Sequence, residues 1–130
     1  MDEAEFKRRT KGLALHVIAM TRAMHRDLAG GVIARQVVRS ANSVAANYRS
    51  ACRAKSASDM LAKLAIVEEE SDETAHWLEM LRDSKCVPSA VTDPMIREAN
   101  EICAMTVASI RTLRARTSGI QNPKSRIQNG

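Results

Sequence analysis

Seven positions between Met60 and Leu81 (Met60, Leu64, Val67, Ser71, Thr74, Leu78 and Leu81) recur in alternating steps of four and three. That spacing keeps them on one stripe of an α-helix, and a stripe this long is a seam by which helices pack into a bundle. A strand turns successive side chains to opposite faces, so the pattern does not suit one. The aromatic content points the same way. Phe6, Tyr48 and Trp77 make up the 2% aromatic fraction, and the apolar set is Ala, Leu, Ile, Val and seven Met. A β-sandwich leans on β-branched and aromatic pairs; this palette suits helices at close range.

Three further helices are predicted around that one. The first runs from about Glu3 to Leu28, with Leu13, Val17, Met20, Met24 and Leu28 on its inner face, and Gly30-Gly31 stops it. The second runs from about Val32 to Ala54 on Val37, Ala41, Val44, Tyr48 and Cys52. Ser56, with Asp59 three residues on, is a capping-box variant that starts the third helix, predicted over Ala57 to Ser84. A loop with Pro88 follows, then Asp93 as N-cap and Pro94 as first helical residue of the fourth. Ile96, Ala99, Cys103, Thr106, Ile110 and Leu113 carry that helix to Gly119. Short connections make neighbours antiparallel, so the expected fold is all-α, an up-down-up-down four-helix bundle over residues 1–119. Residues 120–130 read as a polar, disordered tail.

This topology sorts the charges. One pole gathers the start of helix one, the turn between helices two and three, and the end of helix four. It takes Lys7, Arg8, Arg9, Lys11, Arg49, Arg53, Lys55, Lys63, Arg111, Arg114, Arg116, Lys124 and Arg126 against Asp2, Glu3, Glu5 and Asp59, an excess of nine positive charges. The remainder is net acidic, and the whole chain carries +5. Phosphate binding grows with the number of phosphates neutralised, so the pole is a candidate platform for an RNA or DNA backbone. Lys7, Arg8, Arg9, Lys11, Arg49, Arg53, Lys55, Arg111, Arg114 and Arg116 are its candidate contacts. The same residues also suit two helix C-termini, where cations complement the dipole. Three aromatics are too few for base stacking, so contact is expected to be electrostatic.

Catalytic and metal chemistry find little support. Glu73-Thr74-Ala75-His76 has the Glu-x-x-His spacing of di-iron bundles, but those sites use the motif twice plus two more glutamates. Neither His16 nor His25 has an acidic residue three positions before it. No nucleophile elbow, Cys-His signature or glycine-rich phosphate loop occurs, so no enzyme, catalytic residue, cofactor or metal is expected. Cys52, Cys86 and Cys103 are odd in number and widely spaced, which suits reduced thiols. With an acidic N-terminus and no apolar run of spanning length, a soluble cytoplasmic chain with no membrane partner is expected.

A polar set lies along the middle hairpin. Arg35, Arg39, Ser43 and Asn47 step by four, as do Glu69 and Glu73. A turn near Ser56 sets Arg39 opposite Glu73 and Ser43 opposite Glu69, a register-fixing or subunit-interface role for Arg39, Ser43, Asn47, Glu69 and Glu73.

The run Arg39-Ser40-Ala41-Asn42-Ser43-Val44-Ala45-Ala46-Asn47-Tyr48, continued by Glu68-Glu69-Glu70-Ser71-Asp72-Glu73 and Trp77-Leu78-Glu79, resembles the four-helix-bundle family of ribosomal RNA intervening-sequence proteins. The resemblance is specific across helices two and three, about half of the chain. It implies a non-enzymatic ring-shaped homopentamer. It also implies kinship with accessory proteins of diversity-generating retroelements, basic pentamers that partner a reverse transcriptase and contact nucleic acid. The chain departs from the family pattern at Ala29-Gly30-Gly31 and at Arg49-Ser50. Two functions are therefore expected in competition. One is an oligomeric nucleic-acid-binding or accessory protein; the other is a scaffold whose basic pole docks an acidic partner protein.

Overall fold

The structure, a computed structural model, describes residues 2–121, with side chains through residue 118. Four helices, α1 (Glu3–Ala23), α2 (Leu28–Cys52), α3 (Ala57–Asp83) and α4 (Ser89–Gln121), form an all-α bundle, with no strand among the described residues. Each helix packs on its sequence neighbours and α1 closes on α4. The α2–α3 and α3–α4 seams are the most extensive and the α1–α4 seam the slightest.

Local chemistry explains most boundaries. Asp2 caps α1 by accepting from the Glu5 N–H at 2.7 Å, and Ser56 caps α3 by accepting from the Asp59 N–H at 3.0 Å. The end of α3 is a Schellman turn. Lys85 sits at φ 64, its N–H bonds to the Arg82 carbonyl, and the Cys86 N–H reaches back to Leu81, both at 3.0 Å. Val87, buried, follows that turn into the core.

Two expected boundaries are corrected. Gly30-Gly31 does not stop a helix; both glycines lie in the first turn of α2. Asp27 is the unforeseen N-cap, accepting from the Gly30 N–H at 2.8 Å, and neither glycine has a positive φ. Gly30 serves close approach instead, because a Cβ there would lie 3.1 Å from the Asp27 carboxylate and 3.4 Å from Cys86 Sγ. With α1 ending at Ala23, Leu28 leaves the expected inner stripe and is 86% exposed. Likewise α4 starts at Ser89 rather than at Asp93-Pro94, and Pro94 lies inside it. Thr92 is fully buried, so the inner stripe of Thr92, Ile96 and Ala99 begins before the proline and draws the extra turn into helix. Asp93 instead accepts from Arg82 at 3.2 Å. At the other end α4 continues through Gly119; the remaining expected tail, 122–130, lies outside the described residues.

The core is aliphatic. Leu13, Val17, Val37, Val44, Leu64, Val67, Leu78, Leu81 and Ile102 are almost wholly buried. Small hydroxyl residues sit in the α2–α3 seam. Thr74 Oγ1 donates to Ser40 Oγ at 2.9 Å and lies 2.8 Å from the Glu70 carbonyl, with both hydroxyl residues fully buried. Among the described residues no buried side-chain polar atom lacks a partner, so the polar part of the core is satisfied. Phe6 stacks on Tyr48 with ring centroids 4.0 Å apart and planes within 5°, which ties the start of α1 to the end of α2.

Candidate nucleic-acid interface

Antiparallel packing brings the start of α1, the α2–α3 turn and the C-terminal part of α4 to one end. Glu3, Tyr48, Cys52, Lys55, Met60 and Leu113 line one hollow there, of about 450 Å³. Burial raises the Tyr48 hydroxyl and the Cys52 thiol above their ordinary pKa, so neither is a ready nucleophile or base.

The ten candidate contacts do not behave alike. Arg49, Arg53, Lys55, Lys11, Arg111, Arg114 and Arg116 are exposed and have no carboxylate within ion-pair distance among the described residues. Lys7 and Arg8 are exposed but share Glu3, at 3.3 Å, and Glu5, both on their own helix. Such exposed pairs are weak and leave the cations available.

Arg9 is the correction. Its side chain is 18% exposed and crosses from α1 to α4, where it grips Glu98 through Nε at 2.8 Å and Glu101 through Nη2 at 2.6 Å. The hydrogen bond to Glu98 comes first among the causes that hold the guanidinium's proton still more firmly than usual. Glu98 in turn sits below the ordinary carboxylate range because Arg9 donates to it. Arg9 therefore clamps the slightest seam of the bundle. Glu98 and Glu101, three apart on one helix face, carried the signal for this in the sequence. Of the other pole residues, Lys124 and Arg126 lie outside the described residues.

The polar hairpin set is partly as expected. Arg39 reaches Glu73, as its register predicts, and also Glu70 at 3.1 Å. Trp77 Nε1 donates to the same Glu73 carboxylate at 3.0 Å. Glu69 is exposed and takes no part, and Ser43 pairs with Asn47, whose Nδ2 donates to it at 3.0 Å. Glu70 replaces Glu69 because one residue is a 100° rotation on a helix, and Thr74 facing Ser40 turns Glu70 toward α2. Beyond this network the same hairpin exposes apolar residues: Leu28 at 86%, Val32 at 46% and Met80 at 42%. The Ser40–Thr74 register brings Val32 within two residues of the level of Met80, and Trp77, half-buried, lies one turn before Met80 on α3. His76 is exposed and edge-on to Trp77, while its Glu-x-x-His partner Glu73 is taken by Arg39 and Trp77. Among the described residues no three His, Cys, Asp or Glu side chains gather to hold a metal. Cys52, Cys86 and Cys103 are free thiols. No described helix is long and apolar enough to cross a membrane.

Comparison with known proteins agrees with this architecture. No curated protein matches the sequence. A solved structure of a protein of unknown function from the S23 ribosomal protein family of Bacteroides thetaiotaomicron superposes with a TM-score of 0.78 at 25% identity. The match covers 85% of this chain and 99% of that one. The profile of the 23S rRNA-intervening sequence proteins matches residues 2–108, which takes in all of α1, α2 and α3 and most of α4. The chain belongs to the 23S rRNA-intervening sequence protein family.

Proposed function

We propose that this chain is a non-catalytic cytoplasmic binding protein that holds the phosphate backbone of RNA or DNA on its basic pole. In this reading it works as a self-assembled ring, a homopentamer, and serves as accessory to a nucleic-acid enzyme such as a reverse transcriptase. One observation carries the reading. The arginines that fix the fold, Arg9, Arg39 and Arg82, each grip two carboxylates, whereas eight cations around one end, Lys63 included, have none among the described residues. Over the rest of the described surface there are five such cations, Arg22, Arg26, Arg35, Lys85 and Arg97. Unpaired cations gathered at one end repel one another; the negative charge of a polyanion relieves that repulsion, and the counterions it releases on being neutralised add to the driving force.

The test is affinity for labelled single-stranded and duplex oligonucleotides across a salt series. Binding should weaken linearly on a log–log plot, with a slope of roughly −0.7 to −0.9 per phosphate contacted. Absence of binding at low salt to structured RNA and to duplex DNA would sink the proposal. Recovery of a protein partner that survives nuclease treatment would instead favour the scaffold reading, with an acidic protein on the basic pole.

Self-assembly draws support from the α2–α3 hairpin, which carries exposed Val32 and Met80 and the half-buried Trp77, whose indole is tied to the Arg39–Glu70–Glu73 network. An aromatic anchor within a polar rim is the usual anatomy of a protein interface. The double variant Val32→Glu, Met80→Glu should dissociate the assembly in light scattering while the monomer stays helical. An unchanged mass would place the interface elsewhere.

A further inference from the structure

Between α1 and α2 the outer surface dips into a groove of about 380 Å³ that leads away from the basic pole. Lys7 and Lys11 line it from α1, Arg49 and Asn42 line it from α2, and Thr10 and Ala45 are its more buried residues. The Phe6–Tyr48 stack sets the level of the two antiparallel walls, so Lys7 and Arg49, each one residue beyond it in opposite directions, are offset by about 3 Å along the groove. Lys11 is one helical turn further along, about 6 Å. Lys11 and Arg49 have no carboxylate within ion-pair distance among the described residues, and Lys7 has only the exposed Glu3 of its own helix.

We propose that this groove is a phosphate seat, the place where one phosphodiester of a bound nucleic acid enters between two helices. The proposal rests on the nucleic-acid reading above and names where in the basic region its strongest contact lies. Three features single the groove out from the rest of the pole. Cations approach from two helices, so an anion meets opposed charges rather than one charged face. A small side chain, Ala45, lets it approach close to the α2 backbone. The helix walls shed part of the surrounding water, which strengthens each charge contact relative to open solvent. Arg49 supplies a planar fork suited to two phosphate oxygens, and Lys11 supplies a point charge. By contrast Arg111, Arg114 and Arg116 stand exposed on α4, where no residue after Ile110 is buried through Ser118.

Fluorescence anisotropy with a labelled oligonucleotide compares three proteins: wild type, the groove variant Lys11→Gln, Arg49→Gln, and the α4 variant Arg111→Gln, Arg114→Gln, Arg116→Gln. Inorganic pyrophosphate, followed by NMR shifts at Lys11 and Arg49, is the small-phosphate probe. The groove variant is expected to lose affinity roughly tenfold or more. Its salt slope should become shallower by about 0.7 to 0.9, the share of the one phosphate seated there. Pyrophosphate should shift Lys11 and Arg49 in wild type, and Arg49→Lys should keep part of the affinity. If the groove variant binds like wild type while the α4 variant loses binding, the seat is overturned and the nucleic-acid reading survives. If no oligonucleotide binds but pyrophosphate shifts the groove resonances, the seat stands with a small phosphate as its ligand and the nucleic-acid reading falls. If neither binds, both fall. Both substituted side chains are exposed, so thermal melting should not change. A variant that melts early is replaced by Arg49→Lys, whose retained charge spares the fold.

Discussion

Arg9 is paired across the α1–α4 seam, whereas the proposed phosphate contacts Lys11 and Arg49 are unpaired among the described residues, and Arg9→Met tests whether its role is architectural. Methionine keeps much of the apolar stem but removes both ion pairs, leaving Glu98 with no counter-charge. An exposed pair contributes about 0.2–1 kcal/mol, and breaking a fully buried one costs about 3–5 kcal/mol. Side-chain exposures of 18% for Arg9 and 29% for Glu98 place this clamp between those limits, at about 2 kcal/mol. For a chain of this size that corresponds to a fall in Tm of roughly 6–10 °C. Differential scanning calorimetry at neutral pH reads it directly. The effect should also depend on pH in a defined direction. Arg9 holds the Glu98 carboxyl below its ordinary range in the folded chain, so the ion pair stabilises fully above the unfolded value of about 4.3. That stabilisation is lost as pH falls from there through the folded pKa, and the gap between wild type and variant should close in the same window. Oligonucleotide affinity should stay near wild type. An unchanged Tm, together with an affinity loss matching Arg49→Gln, would refute the clamp and return Arg9 to the binding surface.

Three further substitutions test the backbone reading. Gly31→Ala should stabilise the protein by about 0.5–1 kcal/mol in thermal melts, because Gly31 is helical and a Cβ there meets nothing within 4 Å. Gly30→Ala should gain less or lose stability, since its Cβ would press on the Asp27 cap at 3.1 Å; a larger gain than at Gly31 would contradict the close approach. Lys85→Gly should stabilise by about 1 kcal/mol, because φ 64 strains a residue with a Cβ and not glycine. A loss there would mean that Lys85 makes a favourable contact outweighing the strain.

The features legible in the chain were those set by neighbours in sequence. The four-three seam from Met60 to Leu81, the Ser56 cap and the antiparallel pairing of Arg39 with Glu73 all follow from helical periodicity and one short turn. They depend on angles that a helix repeats wherever it forms. What packing decided was less local. Gly30-Gly31 reads as a stop until Asp27 caps the turn and Cys86 crowds Gly30, and Asp93-Pro94 reads as a start until Thr92 is buried. Glu69 and Glu70 differ by one rotation of 100°, which only the face of α3 pressed on α2 can choose. Arg9 and Arg49 are both arginines at the basic end, yet one is neutralised by Glu98 and Glu101 from 89 and 92 residues away and the other is not. A cation's role depends on which charges tertiary packing brings within a few ångströms, because electrostatic attraction acts through space and is indifferent to order along the chain.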